Sequence, residues 1–256
     1  MMTRLLNKTA LITGGGAGIG AACGLLFCTE GAAVILVDVD AEALQRTAAR
    51  IREQVPGARV TTVTANVSGD AGTVIDSCLG PDGRLDILVN NAAMRNYATV
   101  ANATAEEWQS VVNVNLIGTA SYCRAALPLL RRSGSGSIVN VSSCYAVTGR
   151  KGMGIYDATK AAQLALTRTL AHEEAVHGVR VNAVCPGSTL TDFHVAKAES
   201  AGKSVEQLKT ERQDTSLLGR WATPMEIAYP ILWLASSEAS FITGATLMAD
   251  GGLSAM

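Results

Sequence analysis

Short apolar runs and longer mixed stretches alternate from one end of the chain to the other. The apolar runs fall near residues 8–13, 33–38, 59–65, 86–90, 136–141, 179–185 and 245–249. Stretches such as AAVILV and DILVN are continuously apolar instead of alternating, which predicts strands covered on both faces. Between them, apolar residues recur at helical spacing near 18–30, 41–54, 70–80, 104–130, 155–177 and 224–236. Gly31 is placed to end the first helix, and Thr104 with Glu107 forms a capping box at the start of the fourth. Strands alternating with helices predict βαβ units: an α/β protein with a mainly parallel sheet and helices on both faces. Residues 187–220 depart from this rhythm, being polar and loosely helical where a short connection is expected. No repeat or linker divides the chain, so one domain over 1–256 is expected.

The chain has 256 residues, a formal charge of −1 and 48% hydrophobic residues, enough for one large core. Lys and Arg are scattered, which leaves no electrostatic footprint for nucleic acid. Apolar runs such as Ala32–Val37 fall far short of the roughly 18 residues of a membrane span, so a soluble, unprocessed protein is expected. The six cysteines lie in apolar segments without CxxC or Cys/His spacing, as buried thiols of a reducing, cytoplasmic compartment would. No cluster has metal-ligand spacing, and no metal is expected.

The stretch TALITGGGAGIGAA (9–22) concentrates glycine between a strand and a helix. Free N–H groups and the helix dipole favour a phosphate there, and the missing Cβ atoms let it approach the backbone. Asp38 ends the second strand 18 residues beyond Gly20, close to the roughly 20-residue offset at which an acid takes the adenosine ribose hydroxyls. A carboxylate there repels a 2′-phosphate, and no Arg or Lys stands at Gly16, Ala17 or Val39; NAD is therefore the expected cofactor.

Further along, GIYDATK sets Tyr156 and Lys160 one helical turn apart, with Ser143 13 residues before Tyr156 at a strand end. Interconverting an alcohol and a ketone needs a proton partner near neutral pH, whereas tyrosine ionises near about 10. Lowering it by about three units takes roughly 4 kcal/mol, which a neighbouring ammonium and the positive nicotinamide can supply. Lys160 is the expected source of that ammonium, with Ser143 holding the substrate oxygen.

With these motifs the sequence resembles the short-chain dehydrogenase/reductase family over essentially its whole length. TGGGAGIG looks like the family's TGxxxGxG turn, NNAA (90–93) like its NNAG element and YDATK like its YxxxK pair; NVNLIG, PGSTLT and SFITGATLMADGG also fit. The resemblance implies a Rossmann-type, doubly wound seven-stranded sheet of order 3-2-1-4-5-6-7, with a mobile substrate flap at about 187–220. It implies a tetrad of Asn115, Ser143, Tyr156 and Lys160, the Asn115 main chain holding a water that relays protons from the lysine. For the cofactor it implies Gly14, Gly18, Ile19 and Gly20 in the turn, Asp38 at the ribose, and Asn66 and Val67 at the adenine. Asn91 and Ala92 then lie on the adenine-ribose side, and Pro186, Gly187, Thr189 and Thr191 join Tyr156 and Lys160 at the nicotinamide end. Ala93 replaces the glycine of NNAG, and Asn66 stands where many members carry Asp. The family is mostly tetrameric, and helices 104–130 and 155–177 are the expected interface elements.

An NAD-dependent dehydrogenase or carbonyl reductase acting on CH–OH groups is the leading expectation. A 3-oxoacyl-thioester reductase is the enzyme alternative, set back by Asp38 because that activity normally uses NADPH. A non-catalytic dinucleotide sensor is the other, set back by retention of all four tetrad residues. Around the nicotinamide the resemblance places Met94, Arg95, Asn96, Tyr145, Met153, Ser188 and His194, a mixed set. With only three Phe and three Trp in the chain, the expected substrate is small and polar: a sugar, polyol or hydroxy acid. Arg95 is the sharpest clue, as a fork for a carboxylate or hydroxyl pair. His172, His177 and Cys144 read as packing or surface residues.

Overall fold

Thr9–Thr13 (β1), Ala33–Asp38 (β2), Arg59–Thr64 (β3), Ile87–Asn90 (β4), Ser137–Val141 (β5), Arg180–Pro186 (β6) and Thr246–Ala249 (β7) lie side by side in one sheet. Its order is β3-β2-β1-β4-β5-β6-β7, and every pairing is parallel. The computed structural model describes residues 3–79, 83–210 and 216–256. The expected class and strand order hold, and each strand falls within a residue or so of the apolar run that predicted it.

Successive strand residues serve opposite faces, and in the inner strands β1, β2, β4, β5 and β6 both faces are largely buried. Ala10, Ile12, Val34 and Leu36 pack beneath helices α1 (Gly18–Thr29) and α2 (Ala41–Gln54), while Leu11, Ile35 and Val37 belong to the opposite cluster. That second cluster takes Ile75 from α3 (Ala71–Cys78), which begins where the 70–80 stretch predicts; residue 80 lies outside the described residues.

The helix expected over 104–130 is interrupted. α4 (Ala105–Val112) runs into a π-helical stretch at Asn113–Gly118 before α5 (Thr119–Ser133) resumes. The Asn115 carbonyl lies in the widened turn and accepts from two side chains, Thr119 Oγ1 at 2.8 Å and Gln163 Nε2 at 2.7 Å. Such local diversions of the ladder accompany π-bulges, which cluster at functional sites. The capping box is present: Glu107 N donates to Thr104 Oγ1, and Thr104 N to the Glu107 carboxylate.

After β5, a short helix α6 (Tyr145–Thr148) precedes the long α7 (Gly154–Glu174), which a bidentate Arg131–Glu174 pair ties to α5. The segment read as a flap contains α8 (Asp192–Ser200) and α9 (Val205–Thr210); its residues 211–215 lie outside the described residues. Ala198, Leu208 and Trp221 give it a small core of its own, and the Trp221 indole donates to the Leu208 carbonyl at 3.0 Å. α10 (Pro224–Ala235) packs back on the α1 side of the sheet. Among the described residues no helix is long and apolar enough to cross a membrane, and all six cysteines are unbridged.

Candidate active site

The strand order reverses between β1 and β4, so the connections leaving these neighbouring strands run to opposite faces and open a crevice at their carboxyl ends. The glycine turn forms one wall. Gly14 and Gly18 have φ of +65° and +53°, a region that side chains disfavour. A Cβ on Gly14 would meet Asn91 Nδ2 and the Ala92 backbone, and one on Gly20 would fall on the Gly14 carbonyl oxygen. Asn91 holds this wall in place, its Nδ2 donating to the carbonyls of Thr13 and Gly14 at 3.0 Å each.

The N-terminus of α1 already holds an anionic oxygen: Gly18 N donates to Asp192 Oδ2 at 3.1 Å. At the end of β2, Asp38 Oδ2 accepts from Gly16 N at 2.9 Å, which fixes the carboxylate at the mouth of the turn. A glycine cradle, a helix N-terminus that accepts an anion and a fixed carboxylate beside them fit a dinucleotide's pyrophosphate and adenosine ribose.

The cleft continues over the ends of β5 and β6 for a total of about 560 Å³. β5 delivers Ser143, whose Oγ accepts from Tyr145 N at 3.2 Å, and the first turns of α7 deliver Tyr156 and Lys160. All three side chains line the cleft although each is 5% exposed or less. The Lys160 ammonium donates to the Val141 carbonyl at 2.7 Å and to Gln163 Oε1 at 3.1 Å. Burial, reinforced by repulsion from Arg95, brings its pKa down to about 7.

Burial also raises the Tyr156 phenol above its ordinary value, and the charges of Arg95 and Arg150 oppose that rise. The two guanidiniums lie 5.6 and 5.4 Å from the Tyr156 ring centre. They stand beside the charge that the sequence reading assigned to this work: Lys160 Nζ is likewise 5.6 Å from the ring centre and is tied to Val141 and Gln163.

Asn115 lies behind this wall. Its side chain exchanges hydrogen bonds with the Met94 backbone and donates to Thr159, which pins the loop after β4. Its carbonyl accepts from Thr119 and Gln163. The Gln163 amide bridges Lys160 and Asn115 directly. Gln163 was missed because a glutamine inside a helix carries no signal until its neighbours in space are known.

Of the remaining expected residues, Gly14, Gly18, Ile19, Asp38, Asn91 and Ala92 line the cleft at the turn. Pro186, Gly187, Ser188, Thr189 and Thr191 line it beyond β6, and Arg95, Tyr145 and His194 border the catalytic end. Gly20 is buried behind the turn, Met153 is buried off the cleft wall, and Asn66 and Val67 lie outside it, Asn66 bonding to Ser68. Arg150, Tyr97, Phe193 and Trp221 also line the cleft and were not singled out from sequence. Cys144 is fully buried with its pKa pushed up to about 11, which agrees with a packing role.

The family profile described as Enoyl-(acyl carrier protein) reductase matches residues 14–254. The chain is 37% identical to Short chain dehydrogenase/reductase astE of Aspergillus oryzae, covering 98% of this chain and 96% of that one. It is 38% identical to 3-oxoacyl-[acyl-carrier-protein] reductase FabG of Thermotoga maritima, covering 98% and 99%. Its structure superposes on L-sorbose reductase of Gluconobacter frateurii, solved with NADPH and L-sorbose, with a TM-score of 0.94, 30% identity and all of both chains covered.

Proposed function

The chain belongs to the short-chain dehydrogenase/reductase family, and from that premise we propose an NAD(H)-dependent oxidoreductase that interconverts a secondary alcohol and its ketone. The observation that carries this reading is a single cleft lined at one end by the glycine turn and Asp38 and at the other by Ser143, Tyr156 and Lys160. Its substrate is small and polar. Among the sugar, polyol and hydroxy-acid classes, two arginines at the catalytic end favour the hydroxy acid.

In this reading Gly14, Gly18 and Ile19 hold the pyrophosphate, Asp38 the adenosine ribose, and the residues from Pro186 to Thr191 the nicotinamide end. Asn66 and Val67 serve the adenine from outside the cleft wall. A bound nicotinamide supplies or accepts the hydride. Tyr156 gives or takes the proton at its Oη, Ser143 Oγ donates to the substrate oxygen, and Lys160 supplies positive charge beneath them. Asn115 anchors the loop that carries Arg95 and fixes Lys160 through Gln163.

Asp38 decides the cofactor. NAD(H) is expected to exceed NADP(H) in kcat/KM by at least about 10-fold, equivalent to roughly 1.4 kcal/mol. Asp38→Ser with Val39→Arg removes the repulsion and supplies a cation, Val39 being an exposed neighbour, and is expected to shift preference toward NADP(H). Steady-state rates with both cofactors test this, and equal kcat/KM values for the unaltered protein would overturn it. A thioester reductase would share the proton chemistry, and the relative from T. maritima keeps it in the substrate panel.

The protein acts in the cytoplasm as a homotetramer in this reading, with the α4–α5 and α7 faces as interfaces. Ile117, between α4 and α5, is 49% exposed in the isolated chain. Light scattering after size exclusion is expected to give four times the chain mass; a monomer would remove the tetramer.

A further inference from the structure

The chain has three Phe, three Trp and five Tyr, a sparse supply. Tyr97, Tyr145, Tyr156, Phe193 and Trp221 nevertheless all line one cleft. The aromatic surface, scarce in the chain, is therefore concentrated at one end of the cleft. Cations stand among these rings: besides Lys160 at Tyr156 and Lys197, 3.5 Å over Tyr97, there are two arginines. Arg95 lies 5.2 Å from the Phe193 ring centre as well as beside Tyr156, and Arg150 stacks 3.9 Å over Tyr145.

Among the described residues, the charges do not balance there. Arg150 pairs with the buried Asp157 at 3.3 Å. No described residue forms an ion pair with Arg95, whose Nη1 instead meets His194 Nε2 at 2.9 Å. Among the described residues, the other acids near the cleft are engaged elsewhere, Asp38 on Gly16 and Asp192 on Gly18. A partly dry site with excess cations and flat walls is complementary to an anion on a flat body.

We propose that Arg95 and Arg150 form an anion subsite next to Tyr156, and that the substrate is a 2- or 3-hydroxy acid, or the matching oxo acid, bearing a planar ring. This rests on the oxidoreductase reading above. The position of the carboxylate follows from Arg95, whose guanidinium lies 5.6 Å from the Tyr156 ring centre. An anion held by that guanidinium lies within one or two carbons of the oxygen that Tyr156 serves. The ring then stacks among Tyr97, Tyr145 and Phe193. Because Arg95 also meets Phe193 and His194 on α8, a carboxylate on this guanidinium joins the flap helix to the catalytic wall.

The test compares hydroxy acids with their uncharged amides: lactate with lactamide, mandelate with mandelamide, and 3-hydroxy-3-phenylpropionate with its amide. NAD-linked oxidation is measured for each pair, together with calorimetric binding of acid and amide to the full chain loaded with NADH. Each acid is expected to exceed its amide by about ten- to a hundred-fold in kcat/KM and in affinity, and the ring-bearing acids to exceed lactate. Arg95→Gln is expected to erase the acid preference, the acids losing about ten-fold or more beyond whatever the amides lose through the altered Tyr156, and Arg95→Lys to restore part of it. Equal loss for acids and amides in Arg95→Gln would make this side chain a strut for α8 and overturn the subsite, as would amides that match their acids in the unaltered protein. Selective binding of the acids without turnover with either NAD or NADP would support the subsite and refute the oxidoreductase reading. Turnover of neutral alcohols without acid preference would do the reverse.

Discussion

Replacing Tyr156 with Phe is expected to lower kcat by about 10²–10⁴-fold, the range that general acid–base catalysis supplies, while NADH affinity stays within about two-fold. The substitution deletes one oxygen. The ring, 5% exposed and packed at the start of α7, keeps its contacts, and the hydrogen bond from Thr159 goes to the Tyr156 backbone, which Phe retains. What is lost is the hydroxyl on which the charges of Arg95 and Arg150 act. Burial alone would leave that phenol protonated far above neutral pH, so its competence as a base depends on neighbouring positive charge. Steady-state rates combined with a fluorescence titration of NADH separate the two effects. A kcat within a few-fold of the unaltered protein would remove Tyr156 from proton transfer, and a parallel loss of NADH affinity would point to a displaced wall instead.

The same residue shows where sequence reading reached its limit. Tyr156, Lys160, Ser143 and the glycine turn were legible because each belongs to a short motif whose spacing has a mechanical meaning on a helix or at a strand end. The sheet order was legible by resemblance, and the strands from continuous apolar runs that only a doubly covered sheet tolerates. What governs the Tyr156 phenol was not legible. Arg95 follows β4 and Arg150 precedes α7, 55 positions apart, and only the crossing of β4 beside β5 brings both to one ring. The aromatic wall escaped for a related reason: composition counts rings over the whole chain, whereas the fold gathers five of them from α6, α7, α8 and two loops. Asn115 shows the opposite limit. A motif names the residue, but one partner of its carbonyl is Gln163 on a different helix, which no motif includes.

Lys160→Met is expected to cause a double loss, in turnover by at least about 10²-fold and in NADH affinity as well, which distinguishes it from Tyr156→Phe. The ammonium has three N–H donors. Val141 and Gln163 take two, which leaves one for the cleft that the side chain lines. By resemblance that donor serves the nicotinamide ribose. Burial makes the arrangement dependent on pH. With the lysine pKa brought down to about 7 from its ordinary value near 10.5, the charged donor is present below that pH and is lost as pH rises through it. NADH affinity of the unaltered protein should therefore weaken between pH 6 and 8.5, by no more than about ten-fold per unit above the transition. His194 also borders the cleft, so the comparison with Lys160→Met isolates the lysine: the slope should flatten in the variant. Methionine fills the same tunnel without a charge but strands the Val141 carbonyl, so a melting curve accompanies each titration to separate loss of the donor from loss of the fold. If Lys160→Met keeps both the affinity and the pH slope, the lysine does not touch the cofactor, and the positive charge that Tyr156 requires comes from the arginines alone.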